Sequence, residues 1–296
     1  SLLLLAVSLW MRFKLSESPV FKAMKEAGET SGNPFVESFT FPGNKKRIFV
    51  ALFGITAGLT TIWYTAFFSS MSFLRGPMRV DGLTVELILL VAGLITMIFY
   101  IPVGQWSDRV GRKKPIIIGN FLTLFLLFPA FWGMGHLANP GLEAAAKASP
   151  VLIAGPQCTT DPFGDLLGSK PSPCGRVLET LSAGGVPYTI VQADRLRLTV
   201  GGTEIPLANE WMEDNAARKA GLEQALAAHG FDFSVQSPPL ASILGIIAIL
   251  LVLGIMSALT FGSAAALLAE LFPAKIRYSS MSIPYHIGAG YFGGFL

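Results

Sequence analysis

Charged residues are scarce in this chain, and their densest group forms a short link between two long apolar runs. The link, Gly104-Gln-Trp-Ser-Asp-Arg-Val-Gly-Arg-Lys-Lys-Pro115, carries four cations and one anion. The chemistry that these residue types offer is charge pairing. Asp108 can be held by a helix N-terminus or by an arginine, while Arg112 and Lys113 can meet a carboxylate or an anionic lipid surface. The plainer alternative is a solvated basic turn that only sets the topology of the chain.

The two runs that flank this link predict membrane-spanning helices. Thr84 to Gln105 and Ile116 to Leu137 each reach the length of about 20 residues that crosses a bilayer core as a helix. Short links rich in Lys and Arg stay in the cytoplasm, so this link predicts the cytoplasmic side. Gly104 and Asp108 share a helix face, where Gly104 would let a neighbouring helix approach closely. Gly111 would permit the tight reversal.

Composition places the whole chain among integral membrane proteins, because 52% of its residues are hydrophobic and only 14% are charged. It contains no basic face interleaved with aromatic residues, so nucleic acid is not an expected partner. We also expect no cofactor and no metal. Both ends of the chain fall in apolar runs too short to span, Leu2 to Trp10 and Ile283 to Leu296. We therefore expect a fragment of a longer protein.

Several local patterns resemble one transporter family. Gly-x-x-x-Asp-Arg-x-Gly-Arg-Lys-x-Pro, from Gly104 to Pro115, resembles the cytoplasmic signature of the major facilitator superfamily, which recurs between helices 8 and 9. Arg-x-x-Leu-x-Glu-Ser-Pro-x-Phe, from Arg12 to Phe21, is similar to the end of helix 6 in sugar porters and metabolite:proton symporters. Glu-x-Phe-Pro-x-x-x-Arg, from Glu270 to Arg277, resembles the inner end of helix 10. The run from Ser279 to Leu296 looks like helix 11 of the symporter branch.

This resemblance implies an all-α transmembrane helix bundle, the major facilitator fold from the end of helix 6 to the start of helix 11, with a small α+β extracytoplasmic insert. It divides the chain into the end of helix 6 (1–21), a cytoplasmic linker (22–47), helices 7 to 9 (48–137), the insert (138–239), and helix 10 with the start of helix 11 (240–296). The chain would then lie in the inner or plasma membrane. It would pair with an N-terminal six-helix half that this sequence lacks.

A cytoplasmic charge cluster is the first predicted site. Glu17, Asp108, Arg112, Glu270 and Arg277 all lie at inner helix ends and have complementary signs. We expect their bonds to hold one state of the transporter and to break as its halves tilt. The same network includes three further residues of the link, Gly104, Arg109 and Gly111.

The second predicted site would hold the substrate. Thr56, Thr60 and either Trp63 or Tyr64 recur at helical spacing along helix 7 and could line a cavity, although small polar residues also pack helices together. In helix 11 the candidates are Tyr285 and His286. His286 is the only titratable group well within a span, so it could take a proton near neutral pH. Alternatively, it bonds to a backbone carbonyl freed by Pro284.

The insert is the main departure from the family, which has a short loop there. Its Cys158 and Cys174 predict a disulfide, because both lie in one domain on the outer side. A zinc site lacks further ligands. Alternating residues predict strands at Val186 to Gln192, Arg195 to Val200 and Thr203 to Leu207, with a hairpin turn at Gly201-Gly202. Asn215 to His229 predicts an amphipathic helix.

Together these features predict a secondary transporter rather than an enzyme. By resemblance, the partners are a small-molecule solute, protons and the lipid bilayer, and the solute is a small organic acid or a zwitterionic osmolyte. One alternative is a sugar porter, which Ser16 and Val20 disfavour because they depart from the sugar-porter pattern. A second is a membrane-anchored sensor or binding protein that acts through the insert. No catalytic constellation supports a membrane enzyme.

Overall fold

The computed structural model describes residues 2–14, 19–28, 32–156, 158 and 171–294. The chain begins with three short helices, α1 (Leu2–Lys14), α2 (Pro19–Glu26) and α3 (Pro34–Thr40). Three long helices follow: α4 (Asn44–Arg75), α5 (Gly82–Val110) and α6 (Lys113–Ala138). After the insert come α11 (Leu240–Leu271) and α12 (Arg277–Ile287). Within the described residues, α4, α5, α6 and α11 are the four helices long and apolar enough to cross a membrane.

The remaining elements lie between α6 and α11. They are α7 (Pro140–Ala148), β1 (Val151–Gly155), α8 (Pro173–Ala183), β2 (Tyr188–Gln192), β3 (Arg197–Val200), β4 (Thr203–Ile205), α9 (Glu210–Glu213) and α10 (Asn215–Ala227). The insert is therefore a small α+β assembly between helices of membrane-spanning length.

The insert is built on a four-stranded sheet with the order β2-β1-β3-β4. β1 pairs in parallel with β2, so that Val151 lies opposite Tyr188, and it pairs antiparallel with β3, where Val151 lies opposite Val200. A parallel pair needs a crossover connection, and α8 provides it. β3 and β4 form the predicted hairpin, because Gly201 and Gly202 both adopt positive φ.

Helix starts in this chain are set by short polar side chains. Asn33, Asn139, Ser172 and Asp214 each accept a hydrogen bond from a backbone N–H in the first turn of α3, α7, α8 and α10. Proline follows the first three of these caps, where its missing N–H costs nothing. Asp81 does the same for α5, since its carboxylate accepts from the N–H of Thr84 at 3.0 Å.

π-Helical turns occur within α4 and directly after α12. In α4 these turns are Leu52–Thr56 and Thr65–Ser69, and α12 continues into a π-helical segment, Gly288–Gly293. Such turns leave backbone carbonyls without their usual partners, and they are frequent at functional sites.

The chain forms two compact units, each with its own core. The first unit comprises residues 1–61, 103–117 and 260–296, and the second comprises residues 62–102 and 118–259. The buried core of the first unit comes from α4, α6 and α11: Ile48, Ala51, Ile55, Leu59, Ile116, Ala264, Leu268 and Phe272. The core of the second unit continues from its long helices into the sheet, through residues such as Ile88, Met134, Leu142, Ile153 and Leu178.

Candidate functional site

Arg112 is the centre of the charged site in the first unit. It follows Gly111, whose φ of 96° reverses the chain between α5 and α6. The guanidinium forms an ion pair with Asp108 one turn back, and its Nε lies 3.3 Å from Oε1 of Glu270 at the end of α11. Its Nη1 donates to Ser107 Oγ at 2.9 Å. One cation thus joins two acids from separate helices.

Gly104 and Ser107 precede Arg112 on α5. A Cβ on Gly104 would lie 3.6 Å from the carbonyl oxygen of Gly262 in α11, which is ordinary contact distance, so the packing there does not require glycine. The buried hydroxyl of Ser107 donates to Gly104 O at 2.7 Å and accepts from Arg112. The sequence pattern did not single out Ser107, although this residue lies in the same link, next to Asp108.

Attraction to the two acids also shifts the ionisation of Arg112. Partial desolvation lowers the pKa of its guanidinium, but hydrogen bonds to Glu270 and Asp108 outweigh that effect and raise the pKa above its ordinary value. Arg112 therefore stays charged at every pH at which the protein works.

Two other predicted members of the cluster, Arg277 and Arg109, stand apart from this arrangement. Arg277 does not reach Glu270, because Pro273 ends α11 and the following turn directs Arg277 Nε back to the carbonyl of Phe272, 3.2 Å away. Arg109 is exposed on the last turn of α5. Glu17 lies outside the described residues. The site in the structure is thus a triad of Asp108, Arg112 and Glu270.

A second polar network, which the sequence did not predict, fixes the linker helix α3. The buried amide of Asn44 donates to Ser38 O at 2.7 Å and to Ser280 Oγ at 2.9 Å, and Ser280 Oγ donates to Ser38 Oγ at 3.0 Å. Nearby, Lys275 Nζ pairs with Glu37 at 3.1 Å. The starts of α4 and α12 are therefore bonded to the linker.

The two predicted threonines bond to backbone rather than lining a cavity. Thr56 Oγ1 lies 3.0 Å from Pro284 O, and Thr60 Oγ1 lies 3.1 Å from Gly288 O. Both threonines are buried, and a Cβ on Gly288 would come within 2.7 Å of Thr56 Oγ1. This geometry favours the packing alternative, in which hydroxyls meet the carbonyls of a π-helical turn.

Tyr285 and His286 lie on the exposed face of α12. Their rings meet edge to face with centroids 5.8 Å apart. Within the described residues no hydrogen bond from the imidazole to a backbone carbonyl is present, so the structural alternative is not observed. The side chain of His286 is exposed in the first unit.

Trp63 and Tyr64 belong to the second unit and form part of an aromatic cluster with Phe68. Trp63 lines a groove of about 470 Å³ between α4 and α5, whose other walls include Phe67, Met71, Leu94 and Tyr100. The lining has no charged side chain, and its hydroxyls come from Thr96 and Tyr100. Such a groove suits an apolar or aromatic group better than a carboxylate.

The insert is closed by a disulfide at the carboxyl end of β1. Cys158 and Cys174 are bonded with their Cα atoms 5.1 Å apart, and both are buried. Cys174 lies in the first turn of α8. Across the described residues, no group of three His, Cys, Asp or Glu side chains could hold a metal ion.

Arg79 anchors the loop between α4 and α5 in the insert. It forms an ion pair with Glu223, donates to Phe233 O at 2.8 Å, and lies over the Phe233 ring at 4.8 Å. Its φ of 56° is unusual for a residue with a side chain. The insert is therefore joined to the loop by side-chain and backbone contacts.

Comparisons with known proteins give a partial similarity to a transporter. No family model and no solved structure matches the chain. It is similar to a protein of Escherichia coli (strain K12) described as "Putative transporter YdfJ", with 26% identity over 132 residues. The match covers 44% of this chain and 30% of that protein, so the chain spans less than a third of its relative. Similarity to a transporter and the apolar helices indicate a membrane protein.

Proposed function

We propose that this chain is part of a secondary active transporter of the major facilitator type. It moves a small organic acid or a zwitterionic osmolyte together with protons, by alternating access between two helical halves. Support comes from the sequence signatures, the helices of membrane-spanning length and the similarity to a described transporter. The insert faces the outside of the inner or plasma membrane, since the basic link marks the cytoplasmic side.

The observation that carries the proposal is the Arg112 triad. Its two acids come from different helices and meet at a turn, where a tilt of either helix would separate them. The side chains of Arg112 and Glu270 are 25% and 60% exposed, so solvent screens the pair and its contribution to stability is small. A contact this weak suits a latch that opens in every cycle, because a much stronger one would trap a single state.

For substrate binding in this half we propose two pairs of residues, each within its own unit: Trp63 and Tyr64 of α4 in the second unit, and Tyr285 and His286 of α12 in the first. We leave out Thr56 and Thr60, since their hydroxyls are engaged with backbone. We assign proton uptake to His286, because imidazole is the side chain that most readily gains and loses a proton. An ion pair between the imidazolium and a carboxylate substrate would couple the binding of proton and anion.

Uptake by cells that carry the full-length protein tests this function. We expect accumulation of at least one labelled small carboxylate or zwitterion, and we expect Arg112→Gln to lower its rate. Arg109→Gln, which removes the same charge from an exposed position, should have little effect. Competition by hexoses instead of carboxylates would move the assignment to a sugar porter.

A sensor role for the insert is the second candidate, and one feature favours it. The insert contains a cavity of about 250 Å³ whose walls combine apolar residues with the polar residues Glu179, Asn215, Lys219 and Glu223. A ligand there would contact Glu223, the ion-pair partner of Arg79. A sensor should move no solute, so the uptake experiment separates the two functions.

A further inference from the structure

A groove in the first unit lies between the beginning of α4, the beginning of α6 and the end of α11. Its volume is about 270 Å³. Its walls are almost entirely aliphatic, formed mainly by Val50, Gly54, Ile116, Ile117, Leu267 and Leu271. The volume is below the range of about 300–1,000 Å³ that is usual for compact small-molecule sites. Its shape and walls suit one segment of an acyl chain.

Gly54 keeps this groove open. It lies in the π-helical turn Leu52–Thr56, and a Cβ placed on it would meet only Val50 of its own helix, at 3.8 Å. Neither a positive φ nor packing against another helix requires glycine here. The missing side chain therefore adds room to the groove, at a kind of turn that is often functional.

One end of the groove is positively charged. Lys113 lines it at the first residue of α6, and Lys46 lies four residues before Val50, on the same face of α4. Both lysines are exposed. Glu270, next to wall residue Leu271, is engaged by Arg112. The beginnings of α4 and α6 add the positive ends of two helix dipoles.

We propose that this groove binds one anionic phospholipid of the surrounding leaflet. An acyl chain lies along the aliphatic walls, and the phosphate lies between Lys113 and Lys46. An apolar slot that ends in two cations matches the amphipathic shape of a lipid, whereas a soluble anion would leave the slot empty. Basic pockets between membrane helices are known to hold lipid head groups. The proposal does not depend on transport.

Native mass spectrometry of the purified full-length protein tests this site. The protein is mixed with phosphatidylglycerol or with phosphatidylcholine of the same acyl chains, and retained lipid is counted. We expect phosphatidylglycerol to be retained preferentially. Lys113→Gln and Lys46→Gln should each lower that preference about fivefold, as expected for one cation near an anionic head group. Lys114→Gln and Lys45→Gln remove the same charge from neighbouring positions and should change it little.

Filling the groove supplies an independent test. Gly54→Leu, and Ile117→Trp at a wall residue that is 64% exposed, should both lower retention of phosphatidylglycerol. Two variants are used so that the test can still be interpreted if one of them fails to fold. Equal retention of the two lipids, equal effects of Lys113→Gln and Lys114→Gln, or displacement by millimolar inorganic phosphate would overturn the proposal. A dimer that buries Ile117 in place of lipid would also overturn it.

Discussion

Arg112 Nε lies 3.3 Å from Glu270 Oε1, so the turn between α5 and α6 is joined to the end of α11 by one ion pair. Asp108 binds the same guanidinium from the other side. In a chain with so few charges, Glu270 meets Asp108 and Arg112 from a position 158 residues beyond Arg112 in sequence. That convergence is the structural basis of the proposed latch.

Neutralising the latch should change transport in a non-additive way. We expect Arg112→Gln and Glu270→Gln each to lower the uptake rate by up to about fivefold, because loss of a solvent-screened ion pair shifts a two-state equilibrium only modestly. The double variant should be little worse than either single one, because both remove the same contact. Strictly multiplicative effects on uptake at equal expression would show that the two residues act independently.

Arg277 provides the control for this pairing. Because its guanidinium bonds to Phe272 O, exchanging charges in Glu270→Arg/Arg277→Glu should not restore uptake. Rescue in that double variant would mean that Glu270 and Arg277 pair during the cycle, as the sequence first suggested.

Removing the disulfide should loosen the insert. The bond closes a loop of 16 residues, for which loop entropy predicts a contribution of about 3 kcal/mol. In the Cys158→Ser/Cys174→Ser variant, we expect faster hydrogen exchange of β1 and β2 amides, with that of α5 little changed. Exchange in the sheet equal to that of the unmodified protein would contradict the role assigned to this bond.

At Arg79, the effects of substitution on stability should follow an unusual order. Arg79→Ala loses the ion pair and the hydrogen bond but keeps a Cβ at positive φ, whereas Arg79→Gly also relieves the backbone. We expect alanine to be more destabilising than glycine by about 1 kcal/mol. This difference would be measured by denaturant unfolding, with hydrogen exchange of the amides of residues 231–236 as the probe. Glu86→Gln, in the exposed Arg75 pair, is the matched control and should be close to neutral. Equal stability of the alanine and glycine variants would rule out strain at Arg79.

The start of α5 should depend on pH through Asp81. Hydrogen bonds from the N–H and hydroxyl of Thr84 lower the pKa of Asp81, despite a smaller opposing effect of desolvation. A lowered folded-state pKa means that the stabilisation is present above the ordinary value of about 3.9 and is lost as the pH falls through the folded value. As the pH falls through that window, protection of the Thr84 amide from hydrogen exchange should decrease in the unmodified protein relative to the Asp81→Asn variant. A ratio of the two protection factors that does not change with pH would exclude this linkage.

Hydropathy was sufficient to predict the long helices but not the centre of the sheet. The runs Thr84 to Gln105 and Ile116 to Leu137 fall within α5 and α6, because about 20 apolar residues have few other stable arrangements. In the insert, alternation revealed β2, β3 and β4. The sequence did not predict β1, Val151–Gly155, because a mostly buried central strand is apolar throughout and lacks the alternation of polar and apolar residues.

The polar sites were predictable in part, for a similar reason. Motifs indicated Asp108, Arg112 and Glu270, since their signs and helix ends are visible in the sequence. The contacts among Ser38, Asn44 and Ser280 could not be predicted, because Ser280 is far from the other two in sequence and serine and asparagine are common residues that match no motif here. For Thr56 and Thr60 the sequence left two roles open, and the π-helical turn of α12 explains why packing is favoured.

The most direct test of the account is transport by the purified full-length protein in sealed vesicles under an imposed proton gradient. We predict that an inward gradient drives accumulation of a labelled carboxylate or zwitterion and that a protonophore abolishes it. His286→Gln should keep binding but remove the pH dependence of uptake. Accumulation by this variant with unchanged pH dependence would exclude His286 as the coupling group. The absence of any gradient-driven solute uptake by the correctly folded protein would contradict the proposed transport function itself.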